Sequence, residues 1–137
     1  MKMQTIRLSG FRSFGKEATD ISFENVTYLI GSNGSGKTAA LQALCRLFAI
    51  DVSLRRIVRS DFHVPFEEAE PPNERRLWIE ADFIFPELQN DDDNSTVAPH
   101  FGHMRLDESD SIPRVRERRE TAIGAGEDIE ENMIYVL

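Results

Sequence analysis

The stretch from Val26 to Thr38 constrains this chain more than any other. Val26-Thr27-Tyr28-Leu29-Ile30 is an apolar run, Gly31-Ser32-Asn33-Gly34-Ser35-Gly36 is a glycine-rich turn, and Lys37-Thr38 open a helical pattern. Glycine, four residues, then Gly-Lys-Thr is the spacing of a phosphate-binding loop. Glycines let the backbone curl until successive N–H groups face phosphate oxygens. Lys37 is then placed to reach the β- and γ-phosphates of a nucleotide, and the Thr38 hydroxyl to hold Mg²⁺. The expected ligands of ATP are Gly31, Ser32, Asn33, Gly34, Ser35, Gly36, Lys37 and Thr38, with ATP and Mg²⁺ as the cofactors. The competing reading is a surface turn that shares the spacing alone.

The flanks decide between the two. Residues 26–30 are short, apolar and rich in β-formers, which predicts a central parallel strand covered on both faces. From Thr38, Ala40, Leu41, Leu44, Leu47 and Phe48 recur at helical spacing, with Gln42 and Arg46 on the other side. Strand, loop and helix in that order are the context a Walker A loop requires. The single cysteine, Cys45, falls beside Leu41 and Leu44, so it is expected to be packed inside, and a disulfide framework is excluded.

At 137 residues the chain is long enough to bury one core. No apolar run reaches the roughly 18 residues of a membrane helix, and Met1-Lys2-Met3-Gln4 does not begin a signal peptide, so a cytoplasmic protein with no membrane partner is expected. The net charge of −8 divides unevenly, +5 over residues 1–60 and −13 over residues 61–137. Phosphate chemistry thus belongs to the first part, and the overall charge does not advertise nucleic-acid binding.

Strands are expected over residues 3–8, ending at Gly10, and around 18–23, lying beside the loop strand at a sheet edge. Phe11-Arg12-Ser13-Phe14 joins them, its phenylalanines serving the core or bordering the nucleotide. Arg46, Arg55, Arg56 and Arg59 read as a solvated face, with phosphate or DNA contact as the alternative. Residues 67–74 are acidic and hold Pro71 and Pro72, hence a surface connection. Leu77, Ile79, Ala81, Phe83 and Phe85 then alternate with Trp78, Glu80, Asp82 and Ile84, giving a two-faced strand closed by Pro86. Residues 89–110 form an acidic loop in which neither Asp91-Asp92-Asp93 nor His100 and His103 has metal-ligand spacing. Over 113–121, Arg114, Arg116 and Arg118 share a face opposite Val115, Glu117 and Arg119, as in a charged edge strand. A turn at Gly124-Ala125-Gly126 precedes a last strand from Ile129 to Leu137.

Ile6 to Phe14, Phe23, Val26 to Thr38, and Leu41, Ala43 and Leu44 resemble the amino-terminal lobe of ABC-type ATPases of the SMC and RecF kind. The resemblance implies an α/β fold, the first lobe of a P-loop NTPase, with a mixed or antiparallel sheet beside the Walker A helix. In that group the Phe-Arg-Ser-Phe element borders the nucleotide, which implies a nucleotide-side place for Arg12 and Ser13. Arg59-Ser60-Asp61-Phe62-His63, leading into Pro65, resembles the segment after the loop helix in the OLD (overcoming lysogenisation defect) family of ATP-dependent endonucleases. That second resemblance implies DNA processing, repair or phage defence. It also makes Asp61 a candidate catalytic acid facing metal or water; a helix-capping aspartate is the equally open reading.

By the same resemblance, residues 1–62 are the P-loop core and 63–137 are mostly antiparallel strands and acidic loops. Neither an acid-ended second strand nor a signature loop is visible, which predicts the amino-terminal part of an ATPase, truncated, fragmentary or split. The expected partners are a nucleotide, the remainder of the ATPase domain or a second subunit, a dimeric mate and DNA. A non-hydrolysing interaction module, an SMC/RecF-type repair ATPase without nuclease, and a small-molecule kinase are the alternatives.

Overall fold

Alternation with a period of two, read in three separate stretches, meets in one sheet. The computed structural model describes residues 1–70, 72–88, 112–124 and, as strand pairing alone, 129–135. Its strands are β1 (Lys2–Ser9), β2 (Thr19–Ser22), β3 (Glu74–Ile84), β4 (Arg114–Gly124) and β5 (Ile129–Tyr135). They lie in the order β2-β1-β3-β4-β5, and every pairing is antiparallel. Two helices follow the glycine loop, α1 (Lys37–Phe48) and the single turn α2 (Val52–Arg55). Residues 71, 125–128, 136 and 137, and the segment 89–111 with Asp91–Asp93, His100 and His103, fall outside the described residues.

Register decides what each face carries. Leu8 lies opposite Ile79 and Ile6 opposite Ala81, so the apolar residues of β1 and β3 share one face with Leu77 and, from β4, Val115 and Ile123. Ile6, Leu8, Leu77 and Ile79 have no exposed surface, and each such side chain contributes about 2–3 kcal/mol by leaving water. Ala39, Ala43 and Leu47 of α1 join that cluster, together with Phe11, Ile57 and Phe62. The opposite face is ionic. Arg7 Nη1 donates to Glu80 Oε1 at 2.9 Å and to Asp82 Oδ2 at 2.8 Å, and Arg116 grips Asp82 through Nε at 2.6 Å and Nη2 at 2.9 Å. Arg118 stacks over the Trp78 ring, 4.3 Å from its centroid.

Several expectations are corrected. Residues 26–30 are not a buried strand: they pair with no described strand, and Val26, Tyr28 and Ile30 are 67, 80 and 91% exposed. A parallel strand needs a neighbour with a free edge, and β1 is occupied on one side by β2 and on the other by β3. The sheet edge is accordingly β2 beside β1, and residues 26–30 lie across a groove from it without pairing. β4 is an interior strand, not an edge, and its Arg116 and Arg118 meet the acids Asp82 and Glu80 of β3. On α1 the buried line runs through Ala39, Ala43 and Leu47, leaving Leu41, Phe48 and Cys45 exposed, so Cys45 is not core.

Candidate nucleotide-binding site

Chain direction reverses at Gly10 for a steric reason. Its φ is +64°, and a Cβ there would sit 2.2 Å from the Arg76 carbonyl oxygen of β3, so only glycine lets the turn pass that close. The turn that follows is anchored rather than loose. Phe11 is fully buried and bridges Phe62, and the Phe14 N–H donates to Phe11 O at 2.8 Å. Arg12 holds φ at +50°, an uncommon conformation for a residue with a side chain. Both of its backbone groups are engaged: N–H donates to Asp61 O at 2.7 Å, and His63 Nδ1 lies 2.6 Å from Arg12 O. Facing a carbonyl, that ring nitrogen carries the proton.

The glycine loop enters α1 without a side-chain cap. Gly36 is the N-cap at φ +92°, and the first helical bond is Ala40 N–H to Gly36 O at 2.9 Å. The N–H groups of Lys37, Thr38 and Ala39 precede it with no intrahelical acceptor, at the positive end of the helix. Lys37 is turned back on the loop: its Nζ donates to the carbonyls of Gly31 and Ser32, the latter at 2.6 Å, and lies 3.3 Å from Ser35 Oγ. An incoming anion must draw the ammonium off those oxygens, whose contacts are exposed and therefore weak to exchange.

Loop and turn enclose one cavity of about 440 Å³, lined by Arg12, Ser13, Asn33, Gly34, Gly36, Lys37, Thr38, Ala39 and Gln42. Its wall carries two cations and, among the described residues, no carboxylate. Of the residues expected from sequence, Arg12, Ser13, Asn33, Gly34, Gly36, Lys37 and Thr38 are brought together here, while Gly31, Ser32 and Ser35 stand behind Lys37. Gln42 was not expected. Its place four residues after Thr38, on the same helical face, is the signal that identifies it.

Asp61 is placed elsewhere than a catalytic acid would be. It is 0% exposed, and its carboxylate receives Arg12 Nε at 2.9 Å and Nη2 at 2.8 Å, Arg46 Nε at 2.7 Å and Nη2 at 3.2 Å, and the Val58 N–H at 3.0 Å. Burial alone pushes this carboxyl up; the hydrogen bonds from Arg46, Val58 and Arg12 outweigh it and hold the group below the usual carboxylate range. With no surface of its own, it has no oxygen to offer a metal or a water molecule. The capping reading is the one its contact with Val58 N–H resembles.

Arg46 is likewise not part of a solvated basic face, since Asp61 and the Leu54 carbonyl take its guanidinium. Arg119, expected only as part of a charged edge strand, has a role the sequence did not show. Buried Arg119 of β4 reaches the carbonyls of Arg46 and Arg55, closing the carboxyl end of α1 against α2. Among the described residues no group of three or more His, Cys, Asp or Glu is arranged to hold a metal ion, and no helix is long and apolar enough to cross a membrane.

An uncapped helix end, a glycine loop and a cationic wall converge on one cavity, the arrangement of an anion-binding site. A family model described as an AAA ATPase domain matches residues 1–132, and the chain belongs to that family. A solved structure from work on the ATP-driven dimerization and DNA-stimulated activation of SMC ATPases is similar over 100% of this chain and 73% of its own, at 18% identity and a TM-score of 0.54. The fold is similar to that of this SMC ATPase. No curated protein matches.

Proposed function

We propose that this chain binds Mg-ATP through Gly31–Thr38 as the nucleotide-binding lobe of a DNA-directed ATPase. The observation that carries the reading is the cavity in which the loop, the helix end and Arg12-Ser13 converge without a carboxylate. Backbone N–H groups of Lys37, Thr38 and Ala39 take phosphate oxygens, Lys37 supplies positive charge, and Gly34 and Gly36 keep the backbone clear for close approach. Mg²⁺ would lie on the Thr38 hydroxyl, where it neutralises charge on the phosphates. Asp61 being spent on two arginines, the acid that orients water comes from the remainder of the domain or from a second subunit.

The apolar surface around the loop supports such a partner. Tyr28, Leu41 and Leu44 line an open groove with Met3, Ile21 and Phe23, and residues 26–30 stand beside it exposed and without a strand mate. The remainder of an ATPase domain would supply both the mate and the cover. The Arg59–His63 segment supports the OLD-type branch, with DNA processing, repair or phage defence as its setting and a dimer as its working form. The exposed thiol of Cys45 fits the reducing cytoplasm.

Lys37→Ala tests the reading. It removes a half-buried side chain whose hydrogen bonds are exposed, so folding is expected to persist, while affinity for a fluorescent ATP analogue with Mg²⁺ falls at least tenfold. Unchanged affinity would sink the proposal.

A further inference from the structure

Asp61 lies between the two walls of the nucleotide cavity without touching its interior. One carboxylate oxygen, Oδ1, receives Nε and Nη2 of Arg12, which belongs to one wall; Oδ2 receives Nε of Arg46, on the helix that forms the other. The segment also grips the backbone of Arg12, through Asp61 O and His63 Nδ1, and so maintains its left-handed φ of +50°. Such a conformation persists where surrounding contacts over-determine it, and those contacts here converge on one residue. Arg12 has spent the Nε–Nη2 edge of its guanidinium on Asp61, a contact that leaves Nη1 out, and its Cζ lies 5.8 Å from the Phe11 ring centroid. Arg12 is nonetheless a lining residue of the cavity.

We propose that Asp61 is a positioning residue of the nucleotide site: it fixes the Arg12 guanidinium by one edge so that the other edge meets the bound nucleotide's phosphates. The proposal rests on the nucleotide reading above. A planar fork suits the task, because one edge can be held while the other donates. A purely structural ion pair would stabilise the fold and leave affinity for the nucleotide untouched.

The experiment measures binding of a fluorescent ATP analogue with Mg²⁺ to the wild type, Lys37→Ala, Asp61→Asn, Arg12→Ala, Arg12→Lys and the Asp61→Asn/Arg12→Ala double variant, alongside each thermal unfolding midpoint. Arg12→Ala and Asp61→Asn are each expected to weaken binding about tenfold, the lower end for a hydrogen bond to a charged group. The double variant is expected to bind no more weakly than Arg12→Ala, because Asp61 acts through Arg12. Asp61→Asn leaves buried donors short of an acceptor and lowers the midpoint; if it does not fold, Arg12→Lys decides. Its ammonium, held by Asp61, has no second edge to present, so it should bind nearly as weakly as Arg12→Ala. Losses that add, a folded Asp61→Asn that binds as the wild type does, or an Arg12→Lys that does so, overturn the inference. If Lys37→Ala abolishes binding while these outcomes hold, the nucleotide reading survives; if the wild type itself does not bind, both fall.

Discussion

Gly36→Ala and Gly34→Ala form a matched pair that isolates the contact between the glycine loop and the Phe11–Phe14 turn. Both glycines have positive φ, +92° and +81°, so each alanine suffers the left-handed strain of about 1 kcal/mol. At Gly34 the cost ends there, because an added Cβ meets nothing within 4 Å. At Gly36 the Cβ arrives 3.2 Å from Phe14 Cζ and 3.3 Å from Ser13 Oγ, tighter than an ordinary contact. Ser13 is exposed and rotates away; Phe14 packs against the core cluster and yields only by displacing it. That displacement adds about 1 kcal/mol, and alanine at an N-cap in place of glycine adds a few tenths more. Gly36→Ala should therefore be less stable than Gly34→Ala by about 1–1.5 kcal/mol. In urea, with a slope near 2 kcal/mol/M, the midpoints should separate by about 0.6 M. In a Phe14→Leu background, which shortens the ring reach, the separation should shrink by more than half. Coincident midpoints, or a separation indifferent to Phe14, would refute the packing argument and detach the turn from the loop.

Two further predictions concern the frame. Arg119→Met keeps the volume and removes the donors to the Arg46 and Arg55 carbonyls. It should cost about 2–3 kcal/mol, read by denaturant unfolding, and speed amide exchange at the end of α1 more than in β3; uniform exchange would contradict it. Acid stability should depend on Asp82. Burial pushes that carboxyl up, but hydrogen bonds from Arg116 and Arg7 prevail, and its folded pKa lies below its unfolded value. The stability it contributes is complete above the unfolded value, about 4, and disappears as pH falls through the lower folded one. Asp82→Asn should then flatten the rise in stability on the acid side of about pH 5 relative to the wild type, and an unaltered profile would exclude Asp82 as its source.

Local pattern made much of this molecule legible. The spacing from Gly31 to Thr38 carried the loop and the start of α1, because phosphate-loop chemistry is confined to consecutive residues. Alternation over 77–85 carried β3 and the assignment of its two faces, since successive side chains in a strand point opposite ways whatever the neighbours are. Arg12 and Ser13 came from resemblance, and the cavity brings them to the loop. What misled was also local. Residues 26–30 have the composition of a buried strand, yet composition does not supply a partner edge. Cys45, Leu41 and Phe48 sat within an apolar helical pattern wider than the face that packs.

Strand order, and with it the interior position of β4, depends on hydrogen bonding between segments far apart in the chain. Asp61 meets Arg12 across 49 residues, and Arg119 meets Arg46 across 73. No periodicity reports such separations. The sequence by itself determined that a glycine loop leading into a helix and a two-faced strand are present, because both arise from the geometry of neighbouring residues. Only the tertiary structure decided that Asp61 is a buried post between the cavity walls, because that role exists once packing has excluded water and brought two guanidiniums to one carboxylate.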